Sequence, residues 1–351
     1  MPNQNAVKSS RNCANGMVAW LRVYVWKRFM DKRHFVFSGT LACAVLIAMT
    51  AAQANDSTGY VGAGGVEYIK NKHISMHSED LYISKDEVRV NYEFKNLSNK
   101  DITETVLFPM PAVPSFTDSD YANTSATYDN FKIWANGKPI IPEQHVRTFM
   151  YPLMIKNGER NYAETPIDTT NIFKACGISD AEMMSPWSYR FDTDDINQRL
   201  LDCNSKALDK FISDRESLYI PWDSQVIYSW EQKFKANTIT QVKHTYKPLV
   251  GGSVSLGEEE FSNFCVDKST QRGFNNNGRP YHALSYILTT GANWAKPITH
   301  FKLTVKRDLN ELVSFCWKGK GKIKKIGPTT FEIKESNFVP THDFDVAFIM
   351  K

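Results

Sequence analysis

The feature that most constrains the fold is an alternation of apolar and polar side chains that recurs along the chain. It is strictest where Val88, Val90, Tyr92 and Phe94 are separated by polar residues. Successive side chains of a β-strand point to opposite faces of its sheet, so this pattern predicts a strand with one buried face. The pattern returns in the second half, and the chain is therefore predicted to be mainly β. The later runs are residues 226–234, 238–246, 301–305 and 345–350.

A turn signal and closeness in the chain predict how some of these strands connect. Asn136-Gly137 follows a short run that ends at Trp134, and Asn-Gly between β-like runs is the strongest short signal for a hairpin. Residues 226–234 and 238–246 are close enough in the chain to form a second hairpin. Its aromatic side chains are predicted to pack across the paired strands.

Residues 151–218 have a helical pattern instead. Ser179 and Glu182 have the spacing of a capping box, which opens a helix. A longer helix is predicted within residues 192–218, because five residues at steps of four, three, four and four fall on one face. That buried stripe consists of Ile196, Leu200, Cys203, Ala207 and Phe211.

The amino-terminal part has the three parts of a cleavable export signal. Met30 is followed by basic residues, then by an apolar run over residues 35–49, and then by Ala52-Gln53-Ala54. This order is typical of a secretory signal peptide with cleavage between Ala54 and Asn55. The apolar run is shorter than the ~20 residues that span a bilayer. The alternative is an uncleaved anchor, which would be the chain's one contact with a membrane.

These patterns divide the chain into five segments. We predict an over-extended gene start or a tail at 1–29, a signal peptide at 30–54, two β-sandwich-like domains at 55–150 and 219–351, and an α-helical insert at 151–218. Residues 1–54 hold seven of the 42 Lys and Arg and one of the 38 Asp and Glu, so the remainder has 35 and 37 and a net charge near −2. A near-neutral chain has no electrostatic footprint for nucleic acid.

Four cysteines follow the predicted cleavage site: Cys176, Cys203, Cys265 and Cys316. An even number in an oxidising compartment favours two disulfide bonds. Three pairings are possible, and the favoured one joins Cys176 to Cys203 within the insert and Cys265 to Cys316 within the last segment. No pair has the close spacing of a zinc site, and neither a metal nor a cofactor is predicted.

Five separated stretches resemble one known family. They are Lys95–Pro111, Tyr228–Gly251, Leu288–Arg307, Leu312–Trp317 and Asn337–Phe348, and together they are similar to the bacterial domain of unknown function 4424 family. The resemblance implies an exported protein of a Gram-negative bacterium, periplasmic or secreted, and implies no activity. Asn96, Phe108–Pro111 and Asn136–Pro139 are also loosely similar to VIT domains, which implies a β-sandwich by analogy.

Six residues are candidates for a binding site. Trp230, His244 and Tyr246 lie on the predicted hairpin 226–246, where core packing is the competing explanation for aromatic side chains. Asn293 and Trp294 lie in a loop that begins near Gly291, where loops on rigid scaffolds often carry function. His300 directly precedes the predicted strand 301–305. The alternative explanation for Trp294 is that it closes one end of a sandwich.

No catalytic signature accompanies these candidates, and no catalytic residue is predicted. The sequence contains no Gly-x-Ser-x-Gly, no His-Glu-x-x-His and no phosphate-binding loop. His73 and His77 would lie about 13 Å apart on one strand, too far for one metal ion. The leading hypothesis is an exported, non-catalytic protein that binds an envelope protein or a glycan or serves as a scaffold. The alternatives are a periplasmic hydrolase that acts on cell-wall or polysaccharide material with carboxylates or with His244 and His300, and a surface adhesin.

Overall fold

The computed structural model describes residues 55–62, 65–114, 130–156, 159–184, 193–212, 220–274 and 278–351, which all lie in the unit of the chain formed by Thr50–Lys351. In this part of the chain the prediction of a mainly β fold is confirmed. The strands are β1 Ser57–Gly62, β2 Gly65–Ile69, β3 Ile74–Ile83, β4 Val88–Asn96, β5 Ile102–Pro109, β6 Val113–Pro114, β7 Lys132–Ala135, β8 Lys138–Ile140, β9 Glu143–Met150, β10 Leu153–Lys156, β11 Glu159–Tyr162, β12 Ile167–Asp168, β13 Asp223–Phe234, β14 Ile239–Tyr246, β15 Gly251–Ser253, β16 Tyr281–Tyr286, β17 Ile298–Lys306, β18 Glu311–Phe315, β19 Lys324–Lys325, β20 Thr330–Phe338 and β21 Phe344–Met350. The α-helices are α1 Thr170–Ala175, α2 Asp180–Met183, α3 Thr193–Asp202, α4 Glu258–Asn263 and α5 Lys268–Arg272, and residues Lys206–Leu208 and Thr289–Asn293 form 3-10 turns.

The strands form three larger sheets. Sheet I has the order β12-β9-β13-β5-β1-β2, with β6 also paired to β13. Sheet II has the order β19-β20-β17-β3-β4-β14-β7-β8, and sheet III has the order β15-β16-β21-β18. Strands β10 and β11 form a separate ribbon. Among the described strands the one parallel pair is β3 with β17.

Sheet II has one buried face and one face toward solvent. Along β4 and β14 every second residue is buried and the residues between are half-buried or exposed, as the alternation predicts, and Ile239 at the start of β14 is an apolar residue on the exposed face. Sheets I and II pack face to face, since the Phe94 ring lies 5.9 Å from Phe234 and the His244 ring lies 5.3 Å from Trp230. Sheet III covers the rest of the same face, and one hydrophobic cluster includes residues of all three sheets.

The predicted hairpin of residues 226–246 is wrong, whereas the predicted hairpin at Asn136-Gly137 is confirmed. β13 already has β5 on one edge and β9 on the other. Because both edges are occupied, β14 pairs instead with β4 and β7 in the opposite sheet. At the other turn β7 pairs with β8, and Asn136 and Gly137 both have positive φ, 49° and 78°. That conformation is what a two-residue hairpin turn requires.

The two predicted β regions share their sheets. β4, from residues 55–150, pairs with β14, from residues 219–351. β3 pairs with β17, and β5 pairs with β13. The boundaries at 150 and 219 therefore do not separate one sheet from another. Residues 151–218 also contain strands β10, β11 and β12, and β12 pairs with β9 of sheet I.

The helical insert packs against sheet I. The capping box at Ser179 and Glu182 is confirmed, and the Phe173 ring lies 5.4 Å from Trp222 of the following segment. The predicted long helix is too long, because α3 ends at Asp202 and Asn204 has a positive φ of 49°. Ile196, Leu200 and Phe211 are buried as predicted. The turn rotates Cys203 and Ala207 out of the stripe, and both are exposed.

Two disulfide bonds tie the fold together. One joins Cys176 to Cys203, with Cα atoms 5.4 Å apart, and the other joins Cys265 to Cys316, with Cα atoms 5.1 Å apart. Both agree with the favoured pairing. The first links the end of α1 to the end of α3, and the second links the loop after α4 to the loop after β18. No helix in the described ranges is long and apolar enough to cross a membrane.

Candidate functional site

Five of the six predicted binding residues lie in the interior or against the segment that follows the predicted cleavage site. Trp230, His244, Tyr246 and Trp294 are buried. Asn293 is half-buried and donates a hydrogen bond from Nδ2 to Ser57 Oγ at 3.1 Å. His300 is exposed on the outer face of sheet II, so it does not come together with His244. The buried aromatic rings pack in the core.

The interior contains a buried polar cluster made of Asn55, Asp56, Glu79, Tyr92, His244, Tyr286 and Thr290. Each of these residues is at most 1% exposed. Asn55 lies at its centre, because its backbone nitrogen donates to Thr290 Oγ1 and its Nδ2 donates to Glu79 Oε2 at 3.1 Å. The Tyr92 hydroxyl donates to Asn55 Oδ1 and lies 3.0 Å from the Tyr286 hydroxyl.

The cluster contains two acids and one histidine. Asp56 Oδ2 lies 3.3 Å from His244 Nε2. Burial raises the pKa of Asp56 despite the opposing effect of His244. Burial also raises the pKa of Glu79 to about 8, although the hydrogen bond from Asn55 acts in the other direction. Burial likewise raises the pKa of Tyr92 and Tyr286 well above the usual tyrosine range. A closed cluster of this kind organises the core and offers no opening to a ligand from solvent.

The outer face of sheet II carries an open cavity of about 590 Å³, which we call the outer-face groove. This volume lies within the usual range of small-ligand sites. The groove crosses the middle of the sheet, over β3, β4, β14 and β7. It is lined by Ser78, Asp80, Asn91, Tyr92, Glu93, Trp134, Gly137, Gln241, Val242 and Lys243.

The strand register sets the groove's polar side chains in rows. Asp80, Asn91, Lys243 and Trp134 are direct neighbours on four adjacent strands. In the next row Ser78 pairs with Glu93, and its hydroxyl donates to Glu93 Oε2 at 3.1 Å. Because directly opposed side chains lie close together, each row presents a line of hydrogen-bonding groups, and the row of Asp80 ends at the Trp134 ring.

A β-bulge explains why Asp80 reaches the groove. The register of β3 against β4 shifts between Met76 and Ser78. Before the bulge Ile74 and Met76 point inward, and after it Leu81 and Ile83 do. One extra residue therefore changes the phase of the strand, so Glu79 joins the buried cluster and Asp80 faces solvent. The extra residue, His77, stacks edge-on against His300 with ring centroids 5.4 Å apart.

One acidic and one basic side chain of the groove already have partners in the protein. Lys302 Nζ lies 2.6 Å from Asp80 Oδ2. Lys243 Nζ lies 5.3 Å from the centroid of the Trp134 ring, which is a cation–π contact. Sequence reasoning missed Trp134, although the alternation of Phe131 and Ile133 with their neighbours was a signal. In the structure Ile133 points inward at 1% exposure, and Trp134 next to it points outward.

A second cavity, of about 890 Å³, lies beside the Cys265–Cys316 bond. Its lining includes Phe264, Tyr281 and Lys318 but no histidine. Its one carboxylate, Asp345, accepts a hydrogen bond from Ser285. In the part of the chain that the structure describes, no three His, Cys, Asp or Glu side chains are grouped to hold a metal ion.

Comparisons with known proteins identify one family, and the solved structures that match include two distant ones. A family model described as a domain of unknown function (DUF4424) matches residues 54–347. A proposed nutrient-binding protein of Legionella pneumophila is 16% identical, with 84% of this chain and 70% of that chain covered and a TM-score of 0.38. An M1 zinc metallopeptidase of Deinococcus radiodurans is 7% identical over 80% of this chain and 43% of that chain, with a TM-score of 0.28. No curated protein matches. With TM-scores this low, neither structure carries an argument.

Proposed function

Because the chain belongs to the DUF4424 family, described only as a domain of unknown function, we propose a function from its own surface: it is an exported binding protein that holds a glycan in the outer-face groove. The observation that carries the proposal is the outward Trp134 ring at the end of a row of polar side chains. A sugar ring presents an apolar face and a rim of hydroxyl groups. An aromatic ring suits the first, and amide and carboxylate groups suit the second.

The polar side chains match a hydroxyl-rich ligand better than an apolar one. Asn91 and Gln241 each offer a donor and an acceptor, whereas Asp80 and Glu93 are acceptors when ionised. All four lie on central strands of sheet II, whose opposite face is packed in the core. A rigid platform keeps such groups in place, so a ligand does not have to order them when it binds.

The contact between Lys243 and Trp134 does not block the groove. A cation–π contact at an exposed site is worth only about 0.5–1 kcal/mol, and Lys243 is exposed. Its long side chain can therefore move aside when a sugar ring stacks on the indole. The amine then remains beside the groove, where it can donate to a hydroxyl or carboxylate of the ligand.

Binding without turnover is also part of the proposal. The Asp80–Lys302 ion pair and the Ser78–Glu93 hydrogen bond both hold the groove carboxylates. Two disulfide bonds support a site of action in an oxidising compartment. The envelope and its glycans are then the natural source of ligand.

The test uses the exported protein on an array of muropeptides, lipopolysaccharide core oligosaccharides and capsular polysaccharides. We expect binding to one of these classes, with an affinity that falls at least tenfold in Trp134→Ala, which corresponds to about 1.4 kcal/mol. Tyr82→Ala is the matched control, because Tyr82 lies on the same sheet face outside the groove. An empty array, or equal loss in both variants, contradicts the proposal. If the protein instead releases reducing ends from a glycan, and Glu93→Gln abolishes that release, then its function is hydrolysis and not binding.

A further inference from the structure

The segment that directly follows the predicted cleavage site is buried. Asn55, Asp56 and Ser57 are 0% exposed and Thr58 is 3% exposed. The segment continues into β1, which pairs with β5 in sheet I. A chain end that begins at Asn55 is thus part of the core, whereas most chain ends are poorly ordered.

The turn at Thr289–Asn293 and the residue after it hold this segment. The Asn55 nitrogen donates to Thr290 Oγ1, and Asn293 Nδ2 donates to Ser57 Oγ. Trp294 Nε1 donates to the Asp56 carbonyl oxygen at 2.7 Å. A Cβ atom on Gly291 would lie 2.8 Å from Asn55 Nδ2, so a larger residue there would have to displace the Asn55 amide.

Two carboxylate oxygens beside Asn55 lack partners. Glu79 is 1% exposed, its Oε2 accepts from Asn55 Nδ2, and its Oε1 has no hydrogen-bond partner within the described residues. Asp56 Oδ1 is also without a partner there. Burying a carboxylate without a cation is costly. His244 is the one basic side chain that contacts the cluster's acids among the described residues, and it faces Asp56.

We propose that the buried polar cluster is a binding site for the α-ammonium group that cleavage between Ala54 and Asn55 creates, with Thr290 Oγ1 as its acceptor and Glu79 as its counter-ion. A peptide nitrogen has one hydrogen, which Thr290 accepts. Hydrolysis of the Ala54–Asn55 bond adds water across it, leaves a carboxylate on Ala54, and gives Asn55 an ammonium with three hydrogens. The two further hydrogens supply what the carboxylates lack.

The burial of Asn55 sets the order of events. A protease cannot reach a peptide bond at a residue with no exposed surface, so cleavage precedes folding of residues 55–58. Only a chain cleaved at this bond can place its ammonium group in the cluster, because a chain that is longer or shorter by one residue has its ammonium group at a different position. Burial raises the pKa of Glu79 in a chain whose Asn55 backbone nitrogen is an uncharged amide.

The first experiment sequences the amino terminus of the protein exported by a Gram-negative host and labels its amines. At pH near 7 an acylating reagent prefers α-amines, because their pKa is about 8 and that of lysine is above 10. We expect the chain to begin at Asn55. Labelling of Asn55 is expected to be at least tenfold slower in the folded protein than in the unfolded one, because the amine is exposed only on opening. A different first residue, or equal labelling rates, overturns the proposal.

The second experiment compares residues 55–351 with residues 54–351, both released from a fusion by a protease that leaves no extra residue. The two chains differ by Ala54 alone, so composition and core are matched. We expect the shorter chain to unfold at higher urea concentration, and we expect Glu79→Gln to abolish most of that difference. A difference that persists in Glu79→Gln shows that Ala54 acts by steric hindrance and overturns the role of Glu79. If Glu79→Gln does not fold, the rate at which the Asn55 amine is labelled in the folded parent protein tests the proposal instead.

Discussion

Glu79 and Asp80 are neighbours in the chain but serve opposite faces of β3. Glu79 lies in the buried polar cluster, and Asp80 pairs with Lys302 at the outer-face groove. The bulge at His77 assigns the two residues to these faces. A substitution of Glu79 therefore tests the buried polar cluster, and a substitution of Asp80 tests the outer-face groove.

Glu79 makes stability depend on pH in a chain whose Asn55 nitrogen is still an amide, such as residues 54–351. The pKa of Glu79 is raised from 4.5 to about 8 in the folded state. Between these values the folded state keeps a proton that the unfolded state loses, so stability falls as the pH rises. The stabilising contribution is complete below pH 4.5 and is lost by about pH 8. We expect Glu79→Gln to remove this slope and to be more stable than its parent at about pH 9 by several kcal/mol.

Urea unfolding of both chains between pH 5 and 9 measures this effect. Asp80→Asn is the control, because Asp80 lies at the surface and its removal should leave the slope unchanged. A parent chain whose stability is flat, or rises, across this range would show that Glu79 is ionised in the fold.

Trp294 makes a second residue-scale prediction. Its Nε1 donates to the buried Asp56 carbonyl at 2.7 Å, and its ring lies 4.5 Å from Phe94. Trp294→Phe keeps an aromatic ring but leaves the carbonyl without a donor, so we expect a loss of about 1–3 kcal/mol. Urea unfolding measures the loss, and glycan binding should not change. A larger effect on binding than on stability would mean that Trp294 belongs to a ligand site.

The sequence predicts whether a side chain is buried wherever this depends only on the alternation along a single strand. The alternation along β4 and β14 gives the inward side chains, including His244 and Tyr246. The change of phase between Met76 and Leu81 was a visible sign of the bulge, and with it of an inward Glu79. The contact between Asn55 and Thr290 was not predictable, because it joins residues 235 positions apart.

At the scale of elements, local sequence signals predict structure correctly, whereas long-range strand pairing is not predicted. The capping box at Ser179 depends on four consecutive residues and was predicted correctly. Strand β14 could pair with any free edge, and its actual partners depend on β5 and β9 having taken both edges of β13. Closeness in the sequence favoured β13 as the partner of β14. This was wrong because the edges of β13 are occupied only in the assembled sheet, which the sequence of the hairpin does not show.

The Cys176–Cys203 bond is expected to stabilise the insert. It closes a loop with a sequence separation of 27 residues, for which chain entropy gives about 3–4 kcal/mol. Replacing both cysteines by serine should lower the free energy of unfolding by that amount. It should also speed hydrogen exchange in α1 and α3 while the central strands of sheet II stay protected. The matched control replaces Cys265 and Cys316, which should leave exchange in α1 and α3 unaltered. Equal exchange in α1 and α3 with and without the bond would contradict the expectation.

At the scale of the whole molecule, the two β regions complete each other's sheets. Sheet II places β3 and β4, from the first region, between β17 and β14, from the second. Sheet I likewise places β13 between β5 and β9. The single parallel pair among the described strands, β3 with β17, joins residues that are more than 200 positions apart. Composition and alternation predicted the β content, but they contain no information about which region supplies the next strand.

Residues 219–351 expressed alone should therefore not fold. In isolation β13, β14 and β17 lose their partners β5, β4 and β3, which exposes strand edges and the apolar face of sheet II. We expect no cooperative thermal transition and poor dispersion of amide proton shifts. Residues 55–218 should behave in the same way, and mixing the two unfolded fragments should restore part of the native spectrum. The intact chain from Asn55 is the control. A sharp transition in residues 219–351 alone would instead support two independent domains, and would require strands that pair differently when the first region is absent.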